Sequence, residues 1–171
     1  MSDTPNPLAL PADWSWQLGQ RFLAGAQLCD YECTRAFVVD AGVPLSMCCD
    51  PCQLAVSVTE GLMHPDDDAC CYQAYGDVLI MVDLCKVTPD EDGDWDPVEV
   101  STRAQASSQA RGAILQGLQK MLGGDYHYGG WESWLVDPIQ LTCKNVDIGK
   151  WAIIDEENTC VRWALPITVK L

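Results

Sequence analysis

One stretch constrains the fold more than any other. Between Asp77 and Val87, the residues Val78, Ile80, Val82 and Leu84 fall on one side of an extended chain, with Leu79, Met81 and Cys85 on the other. Successive side chains of a strand point to opposite faces. A run that is apolar on both sides therefore predicts a strand inside a sheet, covered above and below. Such a strand needs neighbours, and the chain supplies them. Residues 53–60 alternate, with Leu54, Val56 and Val58 on one face and Gln53, Ala55, Ser57 and Thr59 on the other, which predicts a half-buried strand. Ala36-Phe37-Val38-Val39, closed by Asp40-Ala41-Gly42, predicts a shorter one. Near the end, Trp151 and Ile153 mark a short strand, and Val161, Trp163, Leu165, Ile167, Val169 and Leu171 a long one. Pro166 lies inside that last run, and since proline cannot donate to a ladder, it predicts an edge position or a bulge.

Two segments change to a helical period. Trp14, Leu18, Phe22, Leu23 and Ala26 predict a helix over about 13–29, with Asp13 as its N-cap. Ala110, Ala113, Ile114, Gly117, Leu118, Met121 and Leu122 define the apolar stripe of a second, Val98–Leu122, stopped by Gly123-Gly124. At about 1.5 Å per residue this helix is nearly 40 Å long, enough to cross one face of a sheet. The order of elements predicts an α+β fold: an antiparallel or mixed sheet, one long helix packed across it and an N-terminal helix. Residues 1–12 read as an extended arm, 13–171 as one domain, and 64–76 as a polar loop.

Charge narrows the function classes. Against 10 basic residues stand 25 acidic ones, a formal charge of −15. This balance argues against binding nucleic acid through a basic surface, because neutralising phosphates needs Lys and Arg. An acidic wall repels a polyanion, a property a DNA conduit can use. No run approaches the eighteen or so apolar residues of a spanning helix. The first residues carry an acid where a signal peptide carries Lys or Arg, so a cytoplasmic chain is expected.

The candidate chemical centres are few. Cys48-Cys49-Asp50-Pro51-Cys52 contains a C-x-x-C, and with Cys70 or Cys71 it forms a candidate zinc site, weakened because adjacent cysteines rarely aim at one metal. The motif precedes a strand and does not open a helix, unlike a thioredoxin-type redox pair. Asp90-Glu91-Asp92-Gly93-Asp94-Trp95-Asp96 has the wrong glycine position for a calcium loop and reads as a solvated turn. His64 and His127 sit in loops, and no nucleophile, metalloprotease or phosphate-loop motif accompanies them. No enzyme activity and no cofactor are expected. Trp131 and Trp134 lie in a Gly-flanked loop, where aromatic side chains serve protein contacts.

Cys48-Cys49-Asp50-Pro51-Cys52-Gln53-Leu54-Ala55-Val56 resembles the "Cys-x-x-Cys-Gly-Gln-Leu-x-Val" stretch of tail terminator proteins from long-tailed phages of actinobacteria. In that family an acidic loop with cysteine follows, as His64-Pro65-Asp66-Asp67-Asp68-Ala69-Cys70 does here. Leu84-Cys85-Lys86-Val87-Thr88-Pro89 then stands where the family has a strand ending "Arg-Cys-x-Pro". An acidic turn, an Ala-rich helix and a closing strand complete the order over residues 33–171. The chain departs from the pattern before Gln53-Leu54, where glycine is usual and Pro51-Cys52 stands, and lacks the Arg before Cys85.

The resemblance implies a virion protein of the tail or neck, assembled in the host cytoplasm as a homo-oligomeric ring, expected to be a hexamer. The ring would stop polymerisation of the tail tube protein and meet the head-side connector or stopper. DNA would pass through without specific binding. In this setting Trp131, Trp134 and Pro166 are candidate interface residues, and Asp90, Glu91, Asp92, Asp94 and Asp96 candidates to line the lumen. A released particle meets oxidising surroundings, so Cys33, Cys49, Cys52, Cys70 and Cys85 become disulfide candidates, with Cys52–Cys85, Cys49–Cys70 and Cys33–Cys52 as possible pairs. A head-completion or stopper protein is the alternative in the same class. A Cys-based zinc module and a cysteine hydrolase are alternatives outside it.

Overall fold

A computed structural model describes residues 10–29, 31, 33, 35–64, 72–123, 141 and 145–171. Most of the expected arm and the tryptophan loop at 131–134 lie outside them. The elements run α1 (Trp14–Ala26), β1 (Arg35–Val38), β2 (Gln53–Met63), β3 (Gln73–Cys85), α2 (Pro97–Leu122), β4 (Val146–Ile148), β5 (Ala152–Glu156) and β6 (Cys160–Lys170). This is the expected α+β architecture, with a mixed six-stranded sheet ordered β1-β2-β3-β6-β4 and β5 also pairing with β6. β1 runs parallel to β2, while β2–β3, β3–β6, β4–β6 and β5–β6 are antiparallel.

The apolar alternation sets which face is covered. Leu54, Val56, Val78, Ile80, Val82, Leu165 and Ile167 point to the helix side, where Leu18, Phe22, Ile114 and Leu118 meet them, all at most 2% exposed. Burying a side chain of this size is worth about 1.5–3 kcal/mol, so this layer is the main stabilising contact of the fold. α1 crosses α2 at a pair of glycines: a Cβ on Gly117 would strike the carbonyl oxygen of Gly25. The two helices approach this closely because neither carries a side chain there.

Four expectations are corrected. The loop expected at 64–76 is shorter, because β2 and β3 continue as a long hairpin with Met63 paired to Gln73. The N-terminal helix ends at Ala26, where the amides of Gln27 and Leu28 close onto the carbonyls of Ala24 and Gly25. The long helix crosses the sheet with its second half only. Ala110, Ile114, Gly117, Leu118 and Met121 are buried, while nearly all of Pro97–Gln109 is exposed, since the amino-terminal half has no apolar stripe. Asp96 caps it, accepting from the Val98 amide at 2.9 Å, and Pro97 occupies the first turn, where a missing N–H costs nothing.

The fourth correction concerns Pro166. It sits in β6, opposite Leu79 of β3, and not on an edge strand. Its carbonyl accepts from the Gly149 amide at 2.8 Å, so this side of the residue faces away from β3. In a strand the N–H and C=O of one residue point the same way. The missing donor therefore falls opposite the 149–151 connection, where β6 changes partner from β5 to β4. Gly149 is required there, because a Cβ would lie 2.9 Å from the Pro166 ring and carbonyl oxygen.

β3 is central, as its two apolar faces predicted. Its second cover is partial. Residues 39–46 cross the face opposite the helices, turning at Gly42 with φ +88°, and leave a cavity of about 400 Å³ beneath them. Leu79 and Met81 are accordingly half-buried. Among the described residues no helix is long and apolar enough to cross a membrane.

Candidate functional site

The end of the sheet where β2 begins, β3 ends and β6 begins collects most of the cysteines among the described residues, together with a buried ion pair. Register explains why. Gln53 pairs with Asp83, and Asp83 with Arg162, so one row across three strands puts a carboxylate between an amide and a guanidinium. All three side chains point away from the helices and are at most 6% exposed as residues. Arg162 grips Asp83 with two parallel bonds, Nε to Oδ1 at 2.7 Å and an Nη to Oδ2 at 2.9 Å. Its other terminal nitrogen donates to the Leu45 carbonyl at 2.9 Å. Gln53 Nε2 donates to Asp83 Oδ2 at 3.1 Å and to the Ser46 carbonyl at 3.0 Å, and the Cys48 amide donates to Asp83 at 3.0 Å.

This network pins the 45–48 segment onto the sheet. The bonds to Asp83 hold Arg162 above its ordinary pKa, against the opposing effect of burial. With every partner satisfied, its role is to fix a loop position, and loss of one partner would strand a buried charge.

The cysteines lie one step further along the strands. Cys33 and Cys52 form a disulfide, which is one of the pairs considered from sequence and ties the segment before β1 to the start of β2. Cys52 is thereby unavailable to Cys85. Instead Cys85 lies directly opposite Cys160, and its thiol donates to the Cys49 carbonyl at 3.2 Å. The Cys160 thiol lies 2.7 Å from Cys49 Sγ. Burial, and then the neighbouring thiols of Cys160 and Cys85, push the Cys49 pKa well above its ordinary value. The Cys49 thiol is therefore mostly protonated in this setting, which works against a hydrolase-type nucleophile and leaves thiol–disulfide exchange to a minor thiolate fraction.

The C-x-x-C spacing is not used as a chelating pair. Cys48 donates to the Pro51 carbonyl at 3.4 Å, Cys49 turns to Cys160 and Cys52 to Cys33. Three of the five thiols in the zinc alternative thus diverge, while Cys70 and Cys71 lie outside the described residues. Among the described residues no group of three or more His, Cys, Asp or Glu is arranged to hold a metal ion. Sequence reasoning missed Cys160 and Arg162. The signal for Cys160 was present: it opens the closing strand as Cys85 ends the central one, and antiparallel pairing of these strands brings the two together.

The thiols border a groove of about 950 Å³ between this end of the sheet and α2, with Tyr31, Cys49, Pro51, Cys85, Arg103 and Ser107 among its lining. The Tyr31 hydroxyl is buried without a hydrogen-bond partner among the described residues, and desolvation raises its pKa.

The acidic turn lies between β3 and α2. Asp90 organises it, its Oδ1 accepting from the amides of Asp92 at 3.0 Å and Asp94 at 2.8 Å, with Gly93 at φ +84°. Asp90, Glu91, Asp92, Asp94 and Asp96 are all exposed. Asp90 and Asp96 have structural duties, one closing the turn and the other capping α2. Of the interface candidates, Trp131 and Trp134 lie outside the described residues, and Pro166 is exposed on the face opposite the helices. No protein-family model matches this chain, and no curated protein matches it.

Proposed function

We propose that this chain is a structural subunit of a phage neck, assembling with copies of itself into a ring at the head-side end of the tail tube. The observation that carries the reading is the pair of open edges on opposite flanks of one sheet. On one flank β1 covers β2 only through Val56, so Val58–Met63 has no outer partner among the described residues. On the other, β5 pairs only with β6 there, and all five of its residues are exposed. Both open stretches display apolar side chains, with Leu62 67% exposed, Ile153 47% and Ile154 52%.

A strand edge with unpaired backbone groups and apolar side chains is a template for association. Two different edges on one molecule favour a head-to-tail contact, which generates a ring when the rotation closes. The exposed acidic turn and the formal charge of −15 suit a lumen through which DNA slides without adhering. The sequence resemblance supplies the position, at the end of the tube.

The test is light scattering and negative-stain electron microscopy of the purified protein, alone and with tail tube protein. Rings of uniform diameter that cap tube ends support the reading, and Ile153→Lys with Ile154→Lys should leave folded subunits that no longer close. A protein that stays monomeric at all concentrations and leaves tube length unchanged refutes it.

A further inference from the structure

We infer that Cys49 and Cys160 form a second disulfide, a redox-closed clasp beside the Cys33–Cys52 bond. Their sulfurs are 2.7 Å apart, less than an ångström beyond a disulfide bond of about 2.05 Å. Both ends are already positioned. Cys160 is held in register opposite Cys85 at the start of β6. Cys49 is held on each side: the Cys48 amide bonds Asp83, and Cys52, its partner in an isolated β-bridge, is tied to Cys33. Covalent closure therefore demands almost no rearrangement. The link would span 111 residues of sequence and fasten the 48–52 turn to the closing strand.

The oxidant is a low-molecular-weight disulfide of the glutathione class. Cys160 is buried and Cys49 partly exposed, so the incoming disulfide meets Cys49 first. The Cys49 sulfur displaces one glutathione thiol, its proton passing to solvent, and leaves a mixed disulfide. Cys160, losing its proton in turn, attacks the Cys49 sulfur and releases the second glutathione thiol. Two protein thiols are oxidised by two electrons, and one small disulfide is reduced to two thiols. Cys85 is the competing partner, since it faces Cys160 across the ladder. The close contact between sulfurs is nevertheless that of Cys49 with Cys160, and the Cys85 thiol is directed at a carbonyl.

The experiment equilibrates the folded full-length protein with oxidised glutathione, blocks remaining thiols by alkylation, and cleaves before aspartate without reductant. That cleavage separates the cysteines into fragments 40–49 (Cys48 and Cys49), 83–89 (Cys85) and 155–171 (Cys160). The expected product is 40–49 joined to 155–171, present in the wild type, Cys48→Ala and Cys85→Ala, and absent from Cys49→Ala. Fragment-ion sequencing of the wild-type product assigns the bond to Cys49 or Cys48 even if a variant fails to fold. A product joining 83–89 to 155–171, a bond assigned to Cys48, or alkylated thiols at both Cys49 and Cys160 after oxidation would each overturn the inference. So would a zinc ion retained by the dialysed wild type and lost in Cys49→Ala, since a metal would then claim these sulfurs.

Discussion

Replacing Arg162 by Met tests the account of the sheet end most directly. The substitution keeps an unbranched apolar stem and removes the guanidinium. Asp83, whose side chain is 2% exposed, would keep only Gln53 and the Cys48 amide as partners. A buried carboxylate without its counter-charge destabilises by about 3–5 kcal/mol. For a chain of this size that corresponds to a fall in Tm of roughly 10–15 °C. Asp83→Leu alone should cost a similar amount, because it strands the cation. The double variant removes both charges and leaves mainly the Leu45 carbonyl and Cys48 amide unpaired, at about 1–3 kcal/mol in all. A double-mutant cycle by urea denaturation, followed by tryptophan fluorescence and circular dichroism, should therefore return a coupling of at least about 3 kcal/mol. The stabilisation should also resist salt, since the pair is shielded from mobile ions. Additivity within about 0.5 kcal/mol, or a cost below about 1 kcal/mol for Arg162→Met, would refute the claim that this pair anchors the 45–48 segment.

Other outcomes follow from single contacts. Gly117→Ala should destabilise by about 1–2 kcal/mol, because pressing a methyl into the Gly25 carbonyl outweighs the better helix propensity, whereas Gly112→Ala, with open space around it, should stabilise by about 0.5–1 kcal/mol. Chemical denaturation distinguishes the two, and equal signs would contradict the helix crossing. Tyr31 has a pKa raised from its ordinary 10.0 in the folded state. The unfolded chain then loses this proton first, so the unfolding free energy falls as pH climbs past about 10, and Tyr31→Phe should flatten that fall. An unchanged alkaline limb would mean the hydroxyl is not buried as described. Asp96→Ala should cost about 1 kcal/mol through loss of the cap on α2, measurable as lower helicity and Tm. On the proposed neck-ring function, changing Glu91, Asp92 and Asp94 to Lys should leave folding intact and slow DNA ejection from particles carrying the variant, and normal ejection would count against a lumen position for them.

The alternation around Val78–Leu84 and the stripe through Ala110–Met121 were enough to establish a central strand, a long helix and the α+β class. Periodicity records which side of an element is apolar, and burial of that side is what holds the element in place. Periodicity carries no information on partners. Pro166 looked like an edge residue because sequence shows a missing donor but not the direction in which it is missing, and only the change of neighbour from β5 to β4 made a central proline tolerable. The amino-terminal half of α2 looked like part of a helix lying on the sheet, although its lack of a stripe already marked it as uncovered.

The sulfur chemistry divides in the same way. Ten cysteines were visible, and Cys33–Cys52 was among the pairs considered, yet their spacing drew attention to Cys48, Cys49 and Cys52 as a group. Antiparallel pairing of β3 with β6 instead brought Cys160 to Cys85 and Arg162 to Asp83, and the segment pinned to Asp83 through the Cys48 amide carries Cys49 beside them. The contact between Arg162 and Asp83, 79 positions apart, arises from strand register. Register is set by which apolar faces must be buried together, so it is decided by the whole fold and by no local stretch of the chain.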